Sequence, residues 1–345
     1  MNLRQLARLA KLSPAAVSLA LRDSAKISTA TKQRVRRLAK RTGYQPDARL
    51  IEMMRHLRKP RTVREAACLG VISLYDRARP WEQSLHLSRI YDGMAARAAE
   101  LGYRLEPLWL RAPGMTYRRI RDILDARGIQ GILCFGSQNM DESWPAELNH
   151  YAVVTQGLSI KTPLHRVVSH VYSDMWRMLD RLHALGYRRP GLVIGRYEEM
   201  RSAHAYLSVY LGWCHLMLGT PAAVPVLQLD RMEEVPVAAW LKQHRPDVLI
   251  FVHHYDVLPE FAAILRRQQS LVPRELGVAV ISQNLAGTDF SGLQENQRLI
   301  GMWSVDLLAS CILHRDFGIP AHPRIEMVER EWVEGRTLRD RTVNS

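Results

Sequence analysis

Residues 6–47, LARLAKLSPAAVSLALRDSAKISTATKQRVRRLAKRTGYQPD, read as short helices separated by breaks. Leu3, Leu6, Ala7 and Ala10 recur at helical spacing and give one apolar face. Lys11 and Leu12 interrupt it. Ser13 is suited to cap a second helix that opens on Pro14, a residue favoured at the first helical position. Ala15 to Leu21 continue that helix, Ser28 caps a third reaching about Thr42, and Gly43 stops it. Two short helices joined by a tight turn and braced by a third form the helix-turn-helix plan, in which the second helix enters a DNA major groove.

Charge marks the same boundary. The 345 residues hold 48 Lys and Arg against 34 Asp and Glu, a net charge of +14. Residues 1–64 carry 17 basic and 3 acidic side chains, so the rest of the chain carries 31 of each and is neutral. Clustered cations of this kind gain affinity for polyanions by releasing counterions from phosphates. A hydrophobic fraction of 47% excludes a disordered chain. No apolar leader follows Met1, and the longest apolar runs are far shorter than the ~20 residues needed to cross a bilayer, so a soluble cytoplasmic protein without membrane attachment is expected. Cys68, Cys134, Cys214 and Cys311 are widely spaced, form no C-x-x-C pair, and read as buried free thiols.

From Cys68 onward, short β-rich runs alternate with helical ones, which argues for parallel βαβ units. Strands are expected at 68–74, 103–109, 131–136, 151–156, 191–195, 224–229, 247–252 and 277–282, with helices at about 83–101 and 116–127 and between the later strands. The fold class is α/β: a three-helix head followed by two doubly wound, mostly parallel sheets. A ligand would lie outside the carboxyl ends of the strands, between the lobes.

Residues 6–47 resemble the N-terminal domain of the LacI/GalR family of bacterial transcription regulators. The likeness lies in Ala7-x-x-Ala10, Val17-Ser18, Ile27-Ser28 and Gly43-Tyr44-Gln45-Pro46. The body is similar to the family as well, at LHALGYRRPGLVIG (182–195), SLVPRELGVAVIS (270–282), Gly318-Ile319-Pro320 and Glu334-Gly335-Arg336-Thr337. The resemblance implies a periplasmic-binding-protein-like core that forms a homodimer and changes its lobe angle with effector. It also implies a double-stranded operator as partner and a small polar effector, with sugars favoured by family likeness alone. The expected domains are a DNA-binding head at 1–47, a hinge helix and linker at 48–64, and a core at 65–345. Lobe one would comprise about 65–169 plus 290–313, and lobe two 170–289 plus 314–340.

By the same resemblance Ser13, Ser28, Thr31 and Tyr44 touch phosphates, while Pro14, Ala15 and Leu19 face the bases, and Ala16 and Arg22 belong to the same DNA-binding set. The sequence departs from the family here: Thr is common where Ala16 stands, Arg or Lys where Leu19 stands, and Asn where Arg22 stands. Pro, Ala and Leu make no bidentate hydrogen bond to a base, so readout rests on thymine methyls, Arg22 or DNA shape. Met53 takes the place of the family's minor-groove Leu wedge. Leu50, Met53, Met54 and Leu57 equally make a helix face that packs on a dimer mate.

The expected effector pocket is unlike that of sugar-binding relatives. Val209 stands where they carry Arg, three residues before Gly212-Trp213, and His170-Val171 replaces Asp-Asn. Tyr255-Asp256 and Ser282-Gln283 replace their Asn-Asp and Asp-Asp. Asp256 reads as a ligand residue or a helix N-cap. Strand ends add Tyr75, Asp76, Ser137, Arg196 and His253 or His254, each equally a cap or loop-surface group. Trp81 and Trp144 would stack on a ring or cover the cleft. No metal or cofactor site is expected, since the two adjacent histidines point to opposite faces of a strand and no third ligand has zinc spacing. The G-x-G-x-x-G, G-x-S-x-G, H-E-x-x-H and Gly-Lys-Ser/Thr patterns are absent from the sequence, so no enzyme is expected.

Overall fold

The computed structural model describes residues 3–21, 27–42, 67–139, 142–219, 224–268 and 272–342. It divides into two compact units, Met1–Glu65 and Ala66–Ser345.

In the first unit, α1 spans Leu3–Ala10, α2 Pro14–Leu21 and α3 Thr29–Arg41. Leu6, Ala7, Ala10, Val17, Ala20, Val35 and Ala39 are buried together, and the many alanines let short helices approach closely. Lys11 ends α1 in the left-handed region at φ 51°. Its N–H donates to the Arg8 carbonyl at 3.1 Å and that of Leu12 to Ala7 at 3.0 Å, which satisfies carbonyls the helix end would leave bare. The expected break at Lys11 and Leu12 is therefore a hydrogen-bonded stop.

The second unit holds two six-stranded sheets among the described residues. The first has the order β11-β5-β4-β3-β1-β2, with β1 at Ala67–Ser73, β2 at Tyr103–Trp109, β3 at Gly131–Phe135, β4 at Ala152–Gln156, β5 at His165–Ser169 and β11 at Ile325–Val328. Every pairing in it is parallel. The second runs β12-β10-β9-β8-β6-β7, with β6 at Pro190–Gly195, β7 at Leu227–Leu229, β8 at Val248–Val252, β9 at Gly277–Ser282, β10 at Ser291–Gln294 and β12 at Glu331–Val333. Only its pairing of β10 with β12 is antiparallel. β3 and β8 are buried along their whole length, as strands covered on both faces must be.

The helices that cover these sheets are α4 (Leu85–Glu100), α5 (Tyr117–Ala126), α6 (Val171–Ala184), α7 (Arg196–Arg201), α8 (Ala205–Leu218), α9 (Glu234–His244), α10 (Leu258–Arg267) and α11 (Gln297–His314). α4 and α11 cross in near backbone contact. A Cβ on Gly93 would stand 2.0 Å from the Arg298 carbonyl oxygen and one on Gly301 2.0 Å from that of Ile90, so only glycine fits at either position. Cys134, Cys214 and Cys311 are buried and Cys68 half-buried, all as free thiols. Burial pushes the Cys134 thiol up to about 12. No helix among the described residues is long and apolar enough to cross a membrane.

Two lobe boundaries differ from expectation. Residues 290–313 do not all join lobe one, because β10 pairs with β9 in the second sheet. Residues 314–340 do not all join lobe two, because β11 pairs with β5 in the first. The chain passes from the first sheet to the second after Ser169, returns after Gln294 and crosses again after Val328. Pairing, not hydrophobic pattern, places these strands: SGLQ and IEMV are four residues long, too short to show a period. The expected strand 224–229 shrinks to Leu227–Leu229.

Candidate functional site

The head presents its recognition elements through two capped helices. Ser13 Oγ accepts the Ala16 N–H at 3.1 Å and Ser28 Oγ the Thr31 N–H at 3.4 Å, with the Thr31 hydroxyl 2.9 Å from Ser28 Oγ. Pro14 and Ala15 begin α2, and Ala16 and Leu19 are half-buried on it beside the buried Val17 and Ala20. Arg22, Tyr44 and Met53 lie outside the described residues, as does the expected hinge at 48–64. Arg8, Lys11, Arg34, Arg37, Lys40 and Arg41 are exposed. Residues 24–46 contain seven Lys and Arg and no Asp or Glu, which concentrates positive charge on this stretch.

In the core, a cleft of about 830 Å³ opens between the two sheets. Tyr75, Asp76, His254 and Gln283 line it as expected. Burial raises the Tyr75 phenol pKa, and burial lowers that of the His254 imidazole against the pull of Asp256. Asp76 is also ion-paired, at 2.7 Å, with Arg111.

Ser137, Arg196 and Asp256 do not line the cleft. The Ser137 hydroxyl is buried and donates to Glu142 at 3.0 Å. Arg196 opens α7 and turns outward to Asp230 at 2.8 Å. Asp256 is exposed, 3.0 Å from His254 Nδ1, and it is no N-cap either, because Val257 holds that position of α10. Trp81 is buried in a stack on Tyr91, with centroids 4.5 Å apart, and Trp144 is buried in the lobe-one core.

The polar floor of the cleft comes from residues outside the sequence candidates. Glu295, at the second crossing, accepts from Ser169 Oγ, and from Arg330 Nη2 at 3.4 Å. His86 Nδ1 stands 3.2 Å from its other oxygen. Burial would raise the Glu295 pKa, but His86, Arg330 and Ser169 outweigh that and push it down to about 2. Across the cleft, Glu198 Oε1 accepts the His254 N–H at 3.1 Å. Arg201 Nη1 reaches from α7 to the Ser137 carbonyl of the first lobe at 3.3 Å.

Comparison with known proteins places both units. The family model described as bacterial regulatory proteins, lacI family, matches residues 2–47. This head belongs to the lacI family. No curated protein matches the chain in sequence. Among solved structures, the transcriptional regulator CelR in its cellobiose complex aligns with TM-score 0.57 at 18% identity, covering 98% of this chain and 99% of that one. A lac repressor dimer bound to operator and the anti-inducer ONPF aligns with TM-score 0.56 at 14% identity, covering 98% of each chain. A periplasmic binding protein/LacI transcriptional regulator from Alkaliphilus metalliredigens, complexed with D-xylulofuranose, aligns with TM-score 0.54 at 14% identity, over 79% of this chain and 99% of that one. The chain thus joins a lacI-family DNA-binding head to a core of periplasmic-binding-protein-like fold.

Of the core positions expected to depart from sugar-binding relatives, Val209 and His170 have other work. Val209 is buried in α8 and does not reach the cleft. His170 caps α6, its Nδ1 accepting the Ser173 N–H at 3.2 Å. Val171, Ser282 and Gln283 line the cleft.

One cluster has metal-ligand chemistry. His165, Cys311 and Asp316 place a ligand atom each within 4.8 Å of the others. All three atoms are engaged by protein. His165 Nδ1 accepts the Arg324 N–H at 2.9 Å, so its Nε2 carries the proton that faces Asp316 Oδ2 at 2.9 Å. Arg324 Nη2 donates to Cys311 Sγ at 3.0 Å. A guanidinium on the thiol repels a cation, and the cluster ties β5 to the end of α11.

Proposed function

We propose that this chain is a dimeric, sequence-specific transcriptional regulator, a repressor, whose operator affinity is set by a small polar effector bound between the core lobes. The observation that carries this reading is the pairing, on one chain, of a strongly basic lacI-family head with a binding-protein core that encloses a polar cleft. The relatives support it: the lac repressor is described as a dimer on its operator, CelR with cellobiose. The effector stabilises one lobe arrangement and must bind that arrangement better than the other, or it shifts nothing.

In vitro selection of fragmented genomic DNA by the full chain, at about 150 mM salt where bare electrostatic attraction is screened, tests it. Enrichment of a near-palindrome of two half-sites is expected, and bulk DNA without enrichment contradicts it. A second reading, a core used only for dimerisation or protein signals, is favoured by Val209 and by His170-Val171. A melting-temperature screen of small polar molecules separates the two, because only a bound ligand stabilises the fold by mass action.

A further inference from the structure

The charges that line the cleft do not all find partners. Arg330 is matched by Asp174 and Glu295, and Asp76 by Arg111. Arg201 differs. Its Nη1 donates to the Ser137 carbonyl at 3.3 Å and to the Tyr197 hydroxyl at 3.0 Å, and among the described residues no carboxylate forms an ion pair with it. The Tyr197 ring lies under the guanidinium, 5.5 Å from its carbon. Gly157, at φ 70°, leaves room on the lobe-one side, since a Cβ there would already stand 3.4 Å from Nη2. The hydrogen bonds of Arg201 go to neutral oxygens, the Glu295 charge acts on it without forming an ion pair, and its fork geometry matches a carboxylate or phosphate.

Two acceptors in the same cleft are also left over. Gln156 Nε2 donates to Ser304 at 3.1 Å, which leaves the buried Oε1 without a hydrogen-bond partner. Glu198 Oε1 takes the His254 N–H, and its buried Oε2 has none. His253 Nδ1 accepts the His254 N–H at 2.8 Å and stands 3.6 Å from Glu198 Oε1, so both histidines meet the same oxygen and Oε2 stays open to the cleft. Unpaired buried acceptors are costly unless a ligand supplies donors. Gln156 ends β4 in lobe one, and Glu198 and Arg201 lie on α7 in lobe two, so a molecule that met all three would hold the lobes together.

We propose that the effector is a small hydroxylated anion, a sugar acid or sugar phosphate, whose acidic group binds Arg201 and whose hydroxyls donate to Gln156 Oε1 and Glu198 Oε2. This rests on the regulator reading above and names the ligand class of its cleft. The two acid types share one chemistry at Arg201 and are separated by the probes used.

The test measures the melting temperature of the full chain with D-gluconate, D-glucuronate, glucose 6-phosphate or D-glucose at equal concentration and ionic strength. At least one anion raises it and glucose does not; which anion does so separates carboxylate from phosphate. Arg201→Met weakens that ligand about thirtyfold or more, as loss of a partner from a buried charge pair does, and abolishes the preference over glucose. Arg201→Lys keeps part of the preference. An arginine that only braces Ser137 would lower the unliganded melting temperature in Arg201→Met and leave the anion preference intact. That result, an equal shift with glucose, or no shift with any of the three anions overturns the proposal. Operator selection is read separately: it survives if only the anion assignment fails, and its absence removes the regulator reading whatever the cleft binds.

Discussion

Arg330 Nη1 donates to Asp174 Oδ2 at 2.7 Å, and the Arg330 backbone N–H donates to Asp174 Oδ1 at 2.9 Å, with the carboxylate fully buried. Asp174 lies in the first turn of α6, and Arg330 on the last crossing between lobes. The second Nη of Arg330 reaches Glu295 on the preceding crossing. One guanidinium therefore fastens two interlobe segments to lobe two, and Tyr206, Glu295 and Asp174 hold its pKa up against burial.

Removing one partner of this pair strands a buried charge. Arg330→Met is expected to destabilise the core by about 3–5 kcal/mol, the cost of breaking a buried ion pair from one side. Denaturant unfolding of the core transition checks it, and a loss below about 1 kcal/mol would place the pair with weak surface bridges.

Glu295 makes the core sensitive to acid. Its folded pKa of about 2 lies below its ordinary 4.5, so its stabilising contribution is complete above about pH 4.5 and is lost as pH falls towards 2. Glu295→Gln flattens the stability profile over that window. A pH series of melting temperatures for both proteins reads this, and parallel profiles would refute it.

Gly195 ends β6 against Glu198. A Cβ there would stand 1.9 Å from Glu198 Oε2 and 2.9 Å from His253 Cδ2. Gly195→Ala is expected to displace the flexible carboxylate from the cleft and weaken effector binding about tenfold, the loss of one hydrogen bond to a charged group. Stability should fall by only about 1 kcal/mol, the low end of the cost of overpacking, because the nearest atom is the far end of a flexible side chain. Calorimetry of ligand binding alongside thermal unfolding separates the two effects.

The head was legible in sequence because each of its signals is local. Ser13 and Ser28 cap helices that follow at once, and the break at Lys11 is closed by bonds to residues three and five positions back. The βαβ alternation likewise gave the sheet class and most strands. The cleft was harder. Reading strand ends found Tyr75, Asp76 and His254, and the family likeness found Gln283, yet Glu295 also follows a strand end and was missed because SGLQ carries no strand signal. Arg330 and Asp174 are 156 residues apart, and their meeting depends on the interlobe crossings. Arg201 and Glu198 come from α7, a helix too short for its pattern to be read. Arg196, Ser137 and Asp256 have the right residue types at the right places in sequence, but local ion pairs and hydrogen bonds turn them away.

Met53 offers a test of the hinge expected from sequence. If it wedges into a base step, Met53→Asp weakens binding to the selected site by about 1–3 kcal/mol more than binding to random DNA, the scale of one lost specific contact. Competition binding at fixed salt measures both, and equal losses would remove the wedge.

The central claim is sequence-specific binding by the head of a chain whose core senses a ligand. Its most direct test is the affinity of the full chain for its selected fragment and for a scrambled fragment of equal length at about 150 mM salt. The account predicts a preference of about a thousandfold or more for the selected fragment. Equal affinities for the two fragments would contradict it and leave a basic head that binds any duplex.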